Sequence, residues 1–123
     1  MNGRDETQIA ARGTWGTVEY AVRSNGKRLA KEFIEGLSES DQRKLAALFL
    51  RMANVGSIHN PEKFKKVSDH IFEFKSYQIR IGCFQQGTTW FLTHGFTKKR
   101  GKWQKSDLDR ANEIRNEHLG EHS

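Results

Sequence analysis

Between Ile71 and Arg100 the chain gathers Lys75, Arg80, His94, Lys98 and Lys99 among alternating apolar residues. Cations mounted on strands at this spacing suit phosphate handling. A guanidinium or ammonium held by a rigid backbone stabilises the negative charge that builds on a phosphate attacked by a 2′-hydroxyl. One well-placed donor lowers such a barrier by about 3 kcal/mol, on the order of a hundredfold in rate. Arg80 is the leading candidate, because its planar fork suits two phosphate oxygens at once. A competing reading pairs it with Glu73 across a hairpin at the surface. His94, inside an otherwise apolar strand, is either a satisfied core histidine or a general acid or base. Lys98 and Lys99 are adjacent, so only one of them shares a face with Arg80, and both also suit a solubilising strand end.

Other chemistries find little support. The histidines at 59, 70, 94, 118 and 122 contain one i, i+4 pair, His118 with His122, which reads as a solvated tail, so no metal site is expected. Cys83 is the only cysteine, which excludes an internal disulfide and a cysteine zinc cage; it reads as a buried thiol. There is no Gly-rich phosphate loop followed by Lys and Ser, and no Gly-x-Ser-x-Gly elbow, so no cofactor is expected.

A formal charge of +6 and a pI near 9.7 favour a polyanionic partner, either nucleic acid or an acidic protein. No apolar run approaches the length of a membrane span, so no membrane partner is expected. The first residues lack the apolar core of a secretory signal, which predicts a cytoplasmic protein.

The elements that must position these cations follow from periodicity. At 123 residues, with 35% hydrophobic residues and eight Phe, the chain suits one domain, with residues 1–14 as a flexible N-terminal arm and 15–119 as the folded unit. Val18, Tyr20 and Val22 alternate as a strand over 15–23. Leu29, Phe33 and Leu37 predict a helix over 27–36. Ser38, three residues before Asp41, opens a second helix whose face is Leu45, Leu48, Phe49 and Met52, and Gly56 closes it. These two helices read as an antiparallel hairpin lying on the sheet. Residues 62–66 read as an exposed basic connector, with Lys63, Lys65 and Lys66 either solvated or in contact with phosphate. Strands over 71–75, 78–84 and 89–97 form an antiparallel meander. In its middle strand Ile79, Ile81 and Cys83 face one side and Arg80 the other. Ser106 and Asp109 predict a capped third helix over 107–119.

In order, Phe64-Lys65-Lys66-Val67, Glu73-Phe74-Lys75, Tyr77-Gln78-Ile79-Arg80-Ile81, Leu92 to Lys99 and Asp107-Leu108-Asp109-Arg110-Ala111 resemble the RelE/HigB-like toxins of bacterial type II toxin–antitoxin systems. The similarity is strongest to the phage-derived branch of that RelE/ParE superfamily and covers residues 15–119. It implies an α+β fold of the microbial-RNase kind: a small antiparallel β-sheet packed against an N-terminal helical hairpin, with a C-terminal helix. It also implies a metal-independent endoribonuclease that cuts mRNA on the ribosome and is neutralised by a cognate antitoxin, often of helix-turn-helix type. Matched by position, Arg80 takes the family's strand arginine, Lys75 a basic position on the preceding strand, and Lys98 or Lys99 the basic end of the last strand. RNA would then lie across the open sheet face, with Lys65, Lys66 and Lys75 holding phosphates. Relatives place a tyrosine or histidine near the C-terminus for proton transfer. Here Ser106 to Asp109 occupies that region, leaving Asp109, His94 or a lysine of lowered pKa for the role. The departure keeps two alternatives open: a gyrase-directed toxin of the ParE kind, and a non-catalytic RNA-binding homologue.

Overall fold

The computed structural model describes residues 6–98 and 103–120. After a single 3-10 turn, Glu6–Gln8, the elements run β1 (Ile9–Arg12), β2 (Thr17–Tyr20), α1 (Leu29–Glu35), α2 (Glu39–Val55), β3 (Phe64–Lys66), β4 (Phe72–Ser76), β5 (Ile79–Gln86), β6 (Thr89–Thr97) and α3 (Lys105–Leu119). Six strands form one sheet in the order β1-β2-β6-β5-β4-β3. β2 runs parallel to β6, and the other neighbours are antiparallel.

The fold is α+β as expected, but the sheet is mixed. The chain leaves β2 through two helices and builds β3 to β6 from the far edge inward. β6 therefore arrives beside β2 in the same direction, a relation that local periodicity does not reveal. Two segments read as irregular are strands. Ile9–Arg12, within the expected arm, pairs with β2. Phe64–Lys66, within the expected connector, pairs with β4 as the opposite edge.

Helix α2 forms where its end signals lie. Ser38 Oγ accepts the Asp41 N–H at 3.1 Å, and Gly56 ends the helix in the left-handed conformation at φ 86°. Leu45, Phe49, Met52 and Ala53 are its buried stripe. They pack with Phe64, Phe74, Trp90, Leu92, Ile79, Ile81 and Cys83 into the main core, on one sheet face. Removing a side chain such as Leu45 or Phe74 from this core costs about 3 kcal/mol. The helical pair is placed differently from the expected hairpin: α1 docks on β6 and α2 on β1, β2 and β4, each held by the sheet rather than chiefly by the other.

Helix α3 crosses the opposite face. Ala111 and Ile114 pack with Ile71, Phe84 and Phe91 in a second, smaller core. Its C-terminal end is tied to the loop after β2. Arg23 donates to Glu117 at 3.1 and 2.9 Å and also pairs with Glu113. His118 Nδ1 accepts the Val22 N–H at 3.1 Å, so His118 is a packed residue beside Phe91 and not the solvated tail expected of it. His122 lies outside the described residues. At its start α3 uses Gln104, without a side-chain cap, in place of Ser106. No helix among the described residues is long and apolar enough to cross a membrane.

Candidate phosphate-binding cleft

Strand alternation puts Arg80 on the α3 side of the sheet, opposite Ile79, Ile81 and Cys83. The register then builds a charged row across three strands. Lys65 faces Glu73, and Lys75 faces Arg80, which in turn faces Phe96. A bulge brings His94 to this side as well: Gly82 alone opposes both Thr93 and His94, between the pairs Ile81–Gly95 and Cys83–Leu92.

The face is not open. Helix α3 covers the part around Phe84, Phe91 and His94, and what remains is a cleft of about 370 Å³ lined by Lys65, Lys66, Val67, Glu73, Lys98, Trp103 and Leu108. Lys98 has its pKa lowered, first by burial and then by the positive charge of Arg80, Lys75 and Lys65, with Glu73 opposing. Four cations near enough to feel one another form a site that an anion relieves.

Arg80 is not among the described lining residues; it lies beside Lys75 on the same face, 8% exposed. Its Nη1 donates to the Tyr77 carbonyl at 2.5 Å and to the Ile79 carbonyl at 3.1 Å, and its Nε lies 3.5 Å from Glu73 Oε1. The pairing with Glu73 is therefore real but buried rather than superficial. Glu73 is 2% exposed and accepts the Trp103 indole N–H at 2.7 Å.

The remaining candidates divide. Lys65, Lys66 and Lys98 line the cleft. Lys75 is next to Arg80 across the strands and donates its ammonium to the Pro61 carbonyl at 3.1 Å. Lys99 lies outside the described residues. His94 is 2% exposed beneath α3, with Nδ1 3.3 Å from Thr93 Oγ1 and Nε2 3.5 Å from Asp107 Oδ1. Burial lowers its pKa to about 4 against the pull of Asp107, so it is neutral at pH 7. Asp109 is on the outer side of α3, paired with Lys105 at 2.8 Å, and does not line the cleft. Cys83 is fully buried with its thiol pKa pushed up, first by burial and then by Glu73, an inert setting.

Two residues gain importance from the geometry. Glu73 is the one carboxylate among the described residues that line the cleft, and its signal in the sequence is a lone acid between Phe72 and Phe74 on a face otherwise carrying cations. Trp103 lies two residues before α3, where no periodicity singles it out. The described residues contain no group of three or more His, Cys, Asp or Glu placed to hold a metal ion.

No curated protein matches the chain. A family model matches residues 32–116, from α1 through most of α3 and so including every described residue of the cleft. The chain belongs to the Gp49-like family of phage-derived proteins (DUF891), a family associated with RelE-like toxins.

Proposed function

We propose that this protein is the toxin of a type II toxin–antitoxin pair, an endoribonuclease that cuts mRNA at the ribosome in the cytoplasm without a metal and is held in check by a cognate antitoxin. The observation that carries the reading is the cleft itself. Lys65, Lys66 and Lys98 surround one cavity, Arg80 and Lys75 reinforce its potential, and a carboxylate sits at its floor.

In the reaction the 2′-oxygen attacks the adjacent phosphorus and the bond to the 5′-oxygen breaks, leaving a 2′,3′-cyclic phosphate and a free 5′-hydroxyl. Lys65 and Lys98 offset the charge that builds on the non-bridging oxygens. In this reading Glu73, the carboxylate that lines the cleft, takes the 2′-hydroxyl proton on the oxygen that Trp103 leaves free, and Lys98, its pKa lowered, supplies one to the leaving oxygen. Arg80 holds Glu73 and adds positive potential.

One observation favours a second reading, an RNA-binding homologue that does not cleave: Arg80 already serves two carbonyls and Glu73. Purified protein incubated with naked message in EDTA, and with ribosome-bound message in magnesium buffer, separates the two. Fragments ending in 2′,3′-cyclic phosphate support the nuclease. Salt-sensitive binding with intact RNA supports the homologue.

A further inference from the structure

We propose that Trp103 is a stacking platform for an unpaired nucleobase, so that the cleft selects single-stranded RNA. The inference rests on the RNA reading above and deepens it.

The indole meets the sheet through its pyrrole N–H and the neighbouring benzo carbons. Nε1 reaches Glu73 Oε1 at 2.7 Å, and a Cβ on Gly82 would lie 2.9 Å from Cη2 and 3.7 Å from Cζ2. Nε1, Cζ2 and Cη2 belong to one side of the indole perimeter, so that side is the one turned to Glu73 and Gly82. Phe96 meets it at 90° with centroids 5.0 Å apart, and His94 at 85° and 5.9 Å. Trp103 also lines the cleft with Lys65, Lys66 and Lys98 and stays partly exposed.

Fastening the start of α3 to the sheet needs only the N–H and the edge against Gly82. The part of the ring that lines the cleft beside three lysines exceeds that need. It fits the pattern of single-strand binding, in which cations track phosphates and an aromatic face takes a base of any sequence. Bases locked in an A-form duplex cannot reach such a face.

The test compares two probes, a short single-stranded oligoribonucleotide and the same ribose-phosphate strand without bases, against wild type, Trp103→Phe and Trp103→Leu. Stacking on one base predicts that Trp103→Leu weakens the base-bearing strand by roughly 5- to 100-fold and leaves the base-free strand unchanged, with Trp103→Phe between. Equal losses on both strands, or no loss on either, would overturn the inference. A wild type that binds neither strand would overturn the RNA reading itself. Wild-type fluorescence needs no variant: the base-bearing strand should quench indole emission more than the base-free one, and equal quenching argues against stacking.

Discussion

The Arg80 guanidinium and the Glu73 carboxylate form a buried pair on neighbouring strands, Nε 3.5 Å from Oε1, with side chains 10% and 3% exposed. A pair this enclosed is costly to break from one side, because the surviving charge is left in a medium that cannot solvate it.

Arg80→Ala should therefore destabilise the fold by about 3 kcal/mol, softened by the Trp103 N–H that remains on Glu73. Urea denaturation measures it. Arg80→Lys keeps the charge and should lose less. A midpoint unchanged in Arg80→Ala would show that the pair contributes nothing to the fold.

Lys65→Ala and Lys98→Ala remove exposed or partly exposed cations and should leave the melting temperature close to wild type. Each should weaken single-stranded RNA binding and reduce the slope of log affinity against log salt by about 0.7 for every phosphate left without its cation. Binding titrations at several salt concentrations give that slope. Asp109→Ala, on the outer side of α3, should leave it unaltered.

Acid should loosen the protein through His94. Its folded pKa lies near 4, below the ordinary 6.5, so above pH 6.5 both states are neutral and the full stability is present. As the pH falls through 6.5 the unfolded chain binds a proton that the folded chain refuses, and stability drains until about pH 4. Asp107 and Arg110 of α3 and Arg23 after β2 are the charges acting on the ring, Asp107 favouring the proton and the arginines opposing it. The loss is on the order of 3 kcal/mol. His94→Phe should flatten most of it in denaturation curves recorded from pH 7 to pH 4. His118, also shifted down by burial, leaves a residual slope of the same sign.

Gly82→Ala should dislodge Trp103. The added Cβ would sit 2.6 Å from Thr93 Oγ1 and 2.9 Å from Trp103 Cη2, closer than neighbouring atoms tolerate. Lower stability by roughly 1–3 kcal/mol and a shifted tryptophan emission are expected. Emission identical to wild type would mean that the indole does not rest on Gly82.

Much of this was legible from local pattern. Ile79, Ile81 and Cys83 alternating against Arg80 identified the faces of β5, and Ser38, Asp41 and Gly56 bounded α2, because caps and period-two alternation are short-range effects. Strand β1 escaped notice because Ile9-Ala10-Ala11-Arg12 carries little bulk to alternate; pairing with β2 makes it a strand. The parallel pairing of β2 with β6, the bulge that turns His94 under α3, and the meeting of Trp103 with Glu73 depend on residues 30 or more apart, or on a register that no local window contains. Arg80 was legible, but its enclosure was not, since that depends on its contacts with two carbonyls and with a Glu73 buried by residues distant in sequence.

If the lysines of this cleft cut message, replacing them must spare it. Wild type, Lys65→Ala and Lys98→Ala would each be induced in bacteria, and new RNA 5′ ends mapped across coding sequences. Wild type should arrest growth with cuts inside translated messages, and cutting should fall on the order of a hundredfold when Lys98 is replaced in a protein that still folds. Arrest with intact messages, or equal cutting by wild type and both variants, would contradict it.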